Sequence, residues 1–308
     1  MNSENVESFF HWINERHLIY LKRMAGVPAP WTDDSILNRY KFTNPFREND
    51  RVTVWMRKNW TRPHDVDSLP LQIYNICLFR MFGTSEFAEA VGWQTEWKPE
   101  LLKSVARQRL NNKQKVFTGA YIITNQGLRL PKEEVVVDLF LGPVWQNSER
   151  LAGIALQNNL ELMHKHLGQL KGWGGGGFMA YEAVTDMYHT PVLDHAEDGM
   201  TWANAGPGAK RGLNRIHDRN LTNGRADWNH EMQVLLGHKD YYLWDMDTFE
   251  VEETRELYLK SPRPTNLVNM RCIEHSLCEW DKYERVRLGQ GRPRSKVSYT
   301  DGNVYPLN

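Results

Sequence analysis

Cysteine is scarce: Cys77, Cys272 and Cys278 are the only three in 308 residues. An odd, widely spaced set argues against a disulfide framework and fits a reducing cytoplasm. No C-x-x-C pair occurs, which argues against a structural zinc site. Net charge is missing as well, because 38 Lys and Arg are balanced by 38 Asp and Glu. No global basic field is available to attract nucleic acid, so any such contact must come from a local cluster. No apolar run approaches the roughly 20 residues that span a bilayer. The polar start Met1-Asn2-Ser3-Glu4-Asn5 lacks the basic-then-apolar build of a signal peptide. Gly172 to Gly177 has glycines at the spacing of a Walker loop, but Phe178-Met179 stands where Lys and Ser/Thr are needed.

What is present is an ordinary globular composition, 41% hydrophobic and 25% charged, with a high 12 Trp. Tryptophans fill cores and also stack on bases. Apolar residues at a 3.6 period predict a helix over 6–24, ended by Gly26 and Pro28. Thr32 is a plausible N-cap for the next helix. Further helices are expected over 45–60, 71–82, 84–91, 98–111, 156–170, 178–187, 209–216, 226–236, 248–260 and 268–283. The best candidate for a strand or a short buried segment is 117–123. The stretch 131–144 is ambiguous, because Val135-Val136-Val137 favours a strand while Leu139, Phe140 and Val144 permit a helix. The expected fold is mostly α: one helical domain, or two lobes over 1–150 and 151–288, with a basic flexible tail over 289–308.

Two glycine turns punctuate the second half. In Gly172-Trp173-Gly174-Gly175-Gly176-Gly177, five glycines fall within six residues; Gly206-Pro207-Gly208 follows about thirty residues later. A dinucleotide turn needs a preceding strand, whereas 156–170 reads as helix. A helix, a glycine turn and a helix remain, the form of a helix-hairpin-helix whose free amides suit DNA phosphates. Close helix packing explains the same glycines. Gly174, Gly175, Gly176, Gly177, Gly206, Gly208 and Lys210 are therefore candidate DNA-backbone contacts. Arg211 and Arg215 share a helix face, as a phosphate clamp or as a solvated surface. Glu182 and Asp186 are also four apart, as a general base, an amine or cation ligand, or an acidic face. His275 and Cys278 share a face of the last helix. Cys with His raises a nucleophile pair, against the plainer reading of a small buried hydrophobe. The Asp281/Arg285 spacing reads as an intrahelical ion pair.

In order along nearly the whole chain, several segments resemble one family. They are Glu15-Arg16, Pro30-Trp31-Thr32-Asp33-Asp34, the 42–51 segment, Tyr74-Asn75-Ile76-Cys77-Leu78-Phe79-Arg80 and Thr118-Gly119-Ala120-Tyr121. The stretches 172–186, 202–215 and 274–294, the last with its Gly-x-Gly-Arg-Pro-Arg, complete the set. This pattern resembles the bacteriophage α-glutamyl/putrescinyl thymine pyrophosphorylases, or amino acid:DNA transferases. Those proteins share a helical domain with phage 5-hydroxymethyluracil DNA kinases. The four-glycine run is a departure, since a bulkier turn is expected there.

The resemblance implies a helix-hairpin-helix, DNA-glycosylase-like fold in the cytoplasm of an infected bacterial host. The implied reaction replaces the phosphate or pyrophosphate of phosphorylated 5-hydroxymethyluracil, in double-stranded DNA, with a free amine of the glycine, glutamate or putrescine class. Such a reaction needs the base out of the stack, cations for the leaving phosphate and a base for the amine. Arg211 and Arg215 are the first choice as cations, with Arg47 and Arg80 as alternatives. Asp186 or Glu182 is the first choice as base and His275 the second, with Cys278 a covalent option. No metal or organic cofactor is required. The competing readings are a glycosylase-like enzyme, a non-catalytic DNA-binding module, and a subunit acting with a separate kinase chain.

Overall fold

The computed structural model describes residues 1–119, 121, 123–243 and 268–291. In chain order the helices are α1 (Ser3–Met24), α2 (Ser35–Arg39), α3 (Arg51–Met56), α4 (Leu69–Phe82), α5 (Ser85–Val91), α6 (Pro99–Asn111) and α7 (Lys132–Glu134). They continue with α8 (Gly142–Gln146), α9 (Ser148–Ala155), α10 (Leu160–Gly168), α11 (Phe178–Met187), α12 (Pro207–Ile216), α13 (Trp228–Gly237), α14 (Lys239–Tyr242) and α15 (Met270–Arg287). Among the described residues there is no strand. None of the described helices is long and apolar enough to cross a membrane. The helix expected over 248–260, the break at Pro262 and Pro264, and the basic tail beyond Gly291 lie outside the described residues.

The chain forms two compact units, Met1–Asp50 with Ala205–Asn308, and Arg51–Asn204. The divisions fall at 50/51 and 204/205. In the first unit α1, α12 and α15 pack together. Phe9 of α1 meets Trp280 of α15 edge-on at 5.8 Å, and the Trp280 indole N–H donates to the Ser8 hydroxyl at 3.3 Å. The α12–α15 pairing is the closest in the unit, and two glycines allow it. A Cβ at Gly212 would lie 2.6 Å from the Leu277 carbonyl oxygen, and one at Gly208 would overlap the Cys278 sulfur.

In the second unit α4 is the central rod, buried from Gln72 to Phe82. Its apolar residues run all round the helix rather than along a stripe, the pattern of an element covered on every side. Tyr74 packs edge-on to Trp145 at 5.0 Å, and Phe82 stacks on Phe87 at 3.9 Å. Gly83 closes the helix in the left-handed conformation.

Several local expectations are corrected. The strand candidate over 117–123 is irregular at its described residues. The valine run is helical: Val135–Leu141 forms a widened π-type turn, with all three valines buried. There burial outweighs β propensity. Asp34, not Thr32, caps α2, accepting from the Ile36 and Leu37 amides at 2.7 and 2.8 Å. The helix expected over 45–60 is a 3-10 turn at Arg47–Asn49, then α3, then a π-type turn at Arg57–Thr61; ahead of it Asn44 accepts from Phe46 N–H at 2.8 Å and Asp50 accepts from Asn44 N–H at 3.2 Å. Of the helix expected over 156–170, α10 (Leu160–Gly168) forms, and 156–159 is the turn that follows α9. Asn158 turns at φ 49° between them, and the Asn159 side chain caps α10 through Leu162 N–H.

Candidate functional site

The candidate residues divide between the two units. Arg80, Glu182, Asp186 and Gly174 to Gly177 belong to the second; Arg47, Gly206, Gly208, Lys210, Arg211, Arg215, His275 and Cys278 belong to the first.

In the second unit α4 carries Arg80 to α11, which carries Glu182 and Asp186 on one face. Arg80 Nε donates to Asp186 Oδ2, and Nη2 donates to Oδ1 at 2.5 Å. Glu182 Oε2 lies 3.5 Å from Arg80 Nη1. All three side chains are buried. Burial alone would lower the Arg80 pKa, but the Asp186 charge and hydrogen bonds, with Glu182, raise it well above its ordinary value. Tyr121 completes the group by donating its hydroxyl proton to the Arg80 carbonyl at 2.6 Å. These contacts alter two expectations. Arg80, a candidate for the leaving phosphate, is occupied by two carboxylates. Both oxygens of Asp186 accept from Arg80, so this carboxylate is engaged in a buried ion pair.

The first glycine turn joins α10 to α11. Gly172 sits at φ +88°, where a side chain would be strained and would also overlap the Phe140 ring. Trp173 anchors the turn, fully buried, with its indole N–H donating to the Phe140 carbonyl at 3.0 Å. Gly174, Gly175 and Gly176 are exposed, and Gly177 is buried at the start of α11. Among the described residues no acceptor takes the N–H of Gly175 or Gly176. The geometry is that of an exposed hairpin with unpaired donors at its tip.

The second glycine turn has other occupations. The Gly206 N–H donates to Glu274 Oε1 at 3.0 Å, and Gly208 is buried against Cys278. The Gly206 N–H is thus taken by a carboxylate, and Gly208 is a packing position against α15. Lys210 lies over the Trp228 ring at 5.7 Å.

Just beyond, α12 and α15 build a charged node. Asp281, with no exposed side-chain surface, receives Arg211 Nε on Oδ2 at 2.9 Å and Arg215 Nε on Oδ1 at 3.0 Å. Arg285 Nε lies 3.4 Å from Oδ2. Arg215 also donates from Nη2 to the Gln290 side-chain oxygen at 2.7 Å. Arg47, by contrast, is paired with Asp50.

Also on α15, the side chains of His275, Glu279 and Lys282 tie down the 41–43 segment. The Thr43 hydroxyl pairs with His275 Nε2, and the Thr43 N–H donates to Glu279 Oε2 at 2.8 Å. Lys282 donates to the same oxygen at 2.7 Å and to the Lys41 carbonyl at 3.0 Å. Burial alone would raise the Glu279 carboxyl, but Lys282 and His275 beside it, together with these bonds, hold it below its ordinary value. Glu279 is therefore an ionised carboxylate one turn from the His275 imidazole. Sequence spacing showed the 275/278 and 281/285 pairs. It gave no signal for Thr43 or for the convergence on Asp281.

Cys278 is the candidate nucleophile least suited to its role. Burial first, then the charges of Glu274 and Glu279, push its thiol up to about 12, away from the thiolate that attacks. Cys77 is raised well above its usual value, and Cys272 is pushed up to about 12, both chiefly by burial. Native protein at pH 8 is expected to incorporate no iodoacetamide at the buried Cys77 and Cys272 and to label the partly exposed Cys278 only slowly, with three equivalents once unfolded. Rapid labelling of Cys278 in the native state, read by peptide mass spectrometry, would contradict a thiol held in its protonated form.

Comparison with known proteins now adds to this geometry. The model of the 5-hmdU DNA kinase helical domain matches residues 3–292. The chain belongs to that family. It is 25% identical to the 5-hmdU DNA kinase of Bacillus phage SP10 over 331 aligned positions, covering 97% of this chain and 49% of that protein. The chain thus spans about half the length of that curated relative. No solved structure matches it.

Proposed function

We infer that this chain acts in thymidine hypermodification of phage DNA, as a transferase that displaces the phosphate or pyrophosphate of phosphorylated 5-hydroxymethyluracil with an amine. The observation that carries this reading is the arginine node that α12 and α15 build on Asp281, on the same helix that carries the ionised Glu279 and the His275 imidazole. Membership of a family named for DNA kinases supplies the DNA context. The exposed amides of Gly175 and Gly176 supply a second support, as donors for a backbone phosphate.

The chemistry assigns one task to each group. The amine nitrogen forms a bond to the exocyclic methylene of the base while the carbon–oxygen bond to phosphate breaks. The oxygen leaves with the electron pair, and Arg211 and Arg215 stabilise its charge. The proton lost by the attacking nitrogen passes to His275, whose imidazolium is stabilised by Glu279. Asp186 and Glu182 are structural in this scheme, held with Arg80 inside the second unit. Cys278 packs as a small apolar side chain and forms no covalent intermediate.

The direct test is to incubate the protein with double-stranded DNA carrying 5-phosphomethyl- or 5-pyrophosphomethyl-deoxyuridine and glycine, glutamate or putrescine. The DNA is then digested to nucleosides for mass spectrometry. An amine adduct is expected with at least one donor. His275→Ala is expected to slow its formation by about 10²-fold, the usual range for a lost general base. Absence of any adduct with every donor would refute the transferase reading.

A second reading is favoured by the family name: the chain presents a 5-hydroxymethyluracil nucleotide to a kinase active site. It predicts DNA binding without adduct, and phosphorylated base only when a kinase domain is supplied.

A further inference from the structure

The arginine node is anchored in an unusual way. Each of the three arginines meets Asp281 through Nε, not through its terminal nitrogens. A guanidinium held by Nε points its two Nη groups outward as a fork, the edge that matches phosphate. Arg215 uses one Nη on Gln290. Among the described residues, the Nη groups of Arg211 and Arg285 have no hydrogen-bond or ion-pair partner. The Arg285 Nε is itself buried and makes no hydrogen bond. A clamp between α12 and α15 would need only Arg215, whose side chain is 7% exposed. The side chains of Arg211 and Arg285 are 36% and 37% exposed, so their forks reach solvent.

Charge narrows what such a site takes. Three guanidinium groups around one carboxylate leave a surplus of two positive charges. Glu284, beside Arg285 in sequence, is matched by Arg287, which donates to both its oxygens. Glu231 is likewise matched by Arg219, at 2.6 Å for each oxygen. A DNA-backbone diester carries one negative charge, whereas a phosphate monoester carries close to two at neutral pH.

We propose that Arg211, Arg215 and Arg285 form a site selective for a phosphate monoester dianion over a backbone diester, with Arg285 as a third arm. The proposal deepens the transferase reading and rests on it for the identity of the monoester. The site recognises the phosphorylated base itself, and the diester backbone is bound elsewhere.

The test is calorimetric titration of the full chain at pH 8 and low salt, with methyl phosphate in one arm and dimethyl phosphate in the other. The two probes differ by one methyl group and one charge. Methyl phosphate is expected to bind about tenfold more tightly or better, and Arg211→Gln and Arg285→Gln are each expected to weaken it by about tenfold, the usual loss for one charged hydrogen-bonding arm. Lys58→Gln removes one exposed positive charge from the second unit and is expected to leave binding unchanged. Thermal melts of each variant establish that the fold is retained. Equal affinity for the two esters, no saturable binding of methyl phosphate, or wild-type binding by Arg285→Gln would overturn the proposal. Selective binding without any amine adduct would leave this site standing and refute the transferase reading. Adduct formation at the wild-type rate by Arg285→Gln, with no selectivity between esters, would do the reverse.

Discussion

Replacing Arg80 with alanine is expected to lower the unfolding free energy by about 3–5 kcal/mol, the range for removing one partner of a buried ion pair. The side chain lies inside the second unit, with both Asp186 oxygens and one Glu182 oxygen around it. Truncation leaves two carboxylates buried with no cation between them, and neither can reach water without moving α11. Asp186→Asn is expected to cost less, because Arg80 keeps Glu182 and the amide oxygen still accepts one hydrogen bond. Urea unfolding followed by circular dichroism reads both values. The double change Arg80→Met with Asp186→Leu is expected to recover most of the loss, since well-packed apolar groups often replace a buried pair at little cost. If Arg80→Ala unfolds at the wild-type urea midpoint, this group does not hold α4 to α11.

The same experiment separates structure from chemistry. A structural Asp186 predicts that Asp186→Asn loses amine adduct only in proportion to the folded fraction. A general base predicts loss in fully folded protein.

The helices that frame these groups were legible in the sequence wherever an apolar period met a glycine or a cap. Residues 178–187 read as a helix from the pattern alone and form α11 with those bounds. The apolar run 71–82 marks α4, which starts two residues earlier. Failures occurred where one residue broke a convincing period. Leu156 fits the spacing of a longer helix, yet it is 71% exposed and lies beyond the end of α9. The three valines at 135–137 left strand and helix both open in the sequence, and in the structure they are buried in a helix.

The site was legible in its parts and not in its pairing. Arg211 and Arg215, or Glu182 and Asp186, are visible as same-face pairs because the helix repeat places them there. Their partners are 66 to 106 residues away in sequence. No local period encodes such distances, so a base, a salt bridge and a phosphate clamp looked alike. The second glycine turn was ambiguous for the same reason. Its role is set by α15, which arrives about sixty residues later.

That packing leads to the second large effect. Gly212→Leu is expected to destabilise the first unit by about 3 kcal/mol or more, at or above the usual range for overpacking. The added Cβ would lie 2.6 Å from the Leu277 carbonyl oxygen, which is backbone and has no rotamer by which to yield. The two helices must then separate or slide. Gly208→Ala is expected to be milder and to be rescued by Cys278→Ala, because the first obstacle at that position is the Cys278 side chain. Gly212→Ala is expected to resist rescue by Leu277→Ala, which leaves the carbonyl in place. The effect extends to binding. Arg211 and Arg215 ride on α12, whereas Asp281 and Arg285 ride on α15, so a displacement of the helices separates the node. Gly208→Ala is therefore expected to weaken methyl phosphate binding, and the Cys278→Ala background to restore it, at a temperature where both variants are folded. Thermal melts and calorimetry on the four proteins test this directly. Unaltered phosphate binding in a Gly208→Ala protein with a lowered melting temperature would uncouple the glycine seam from the arginine node.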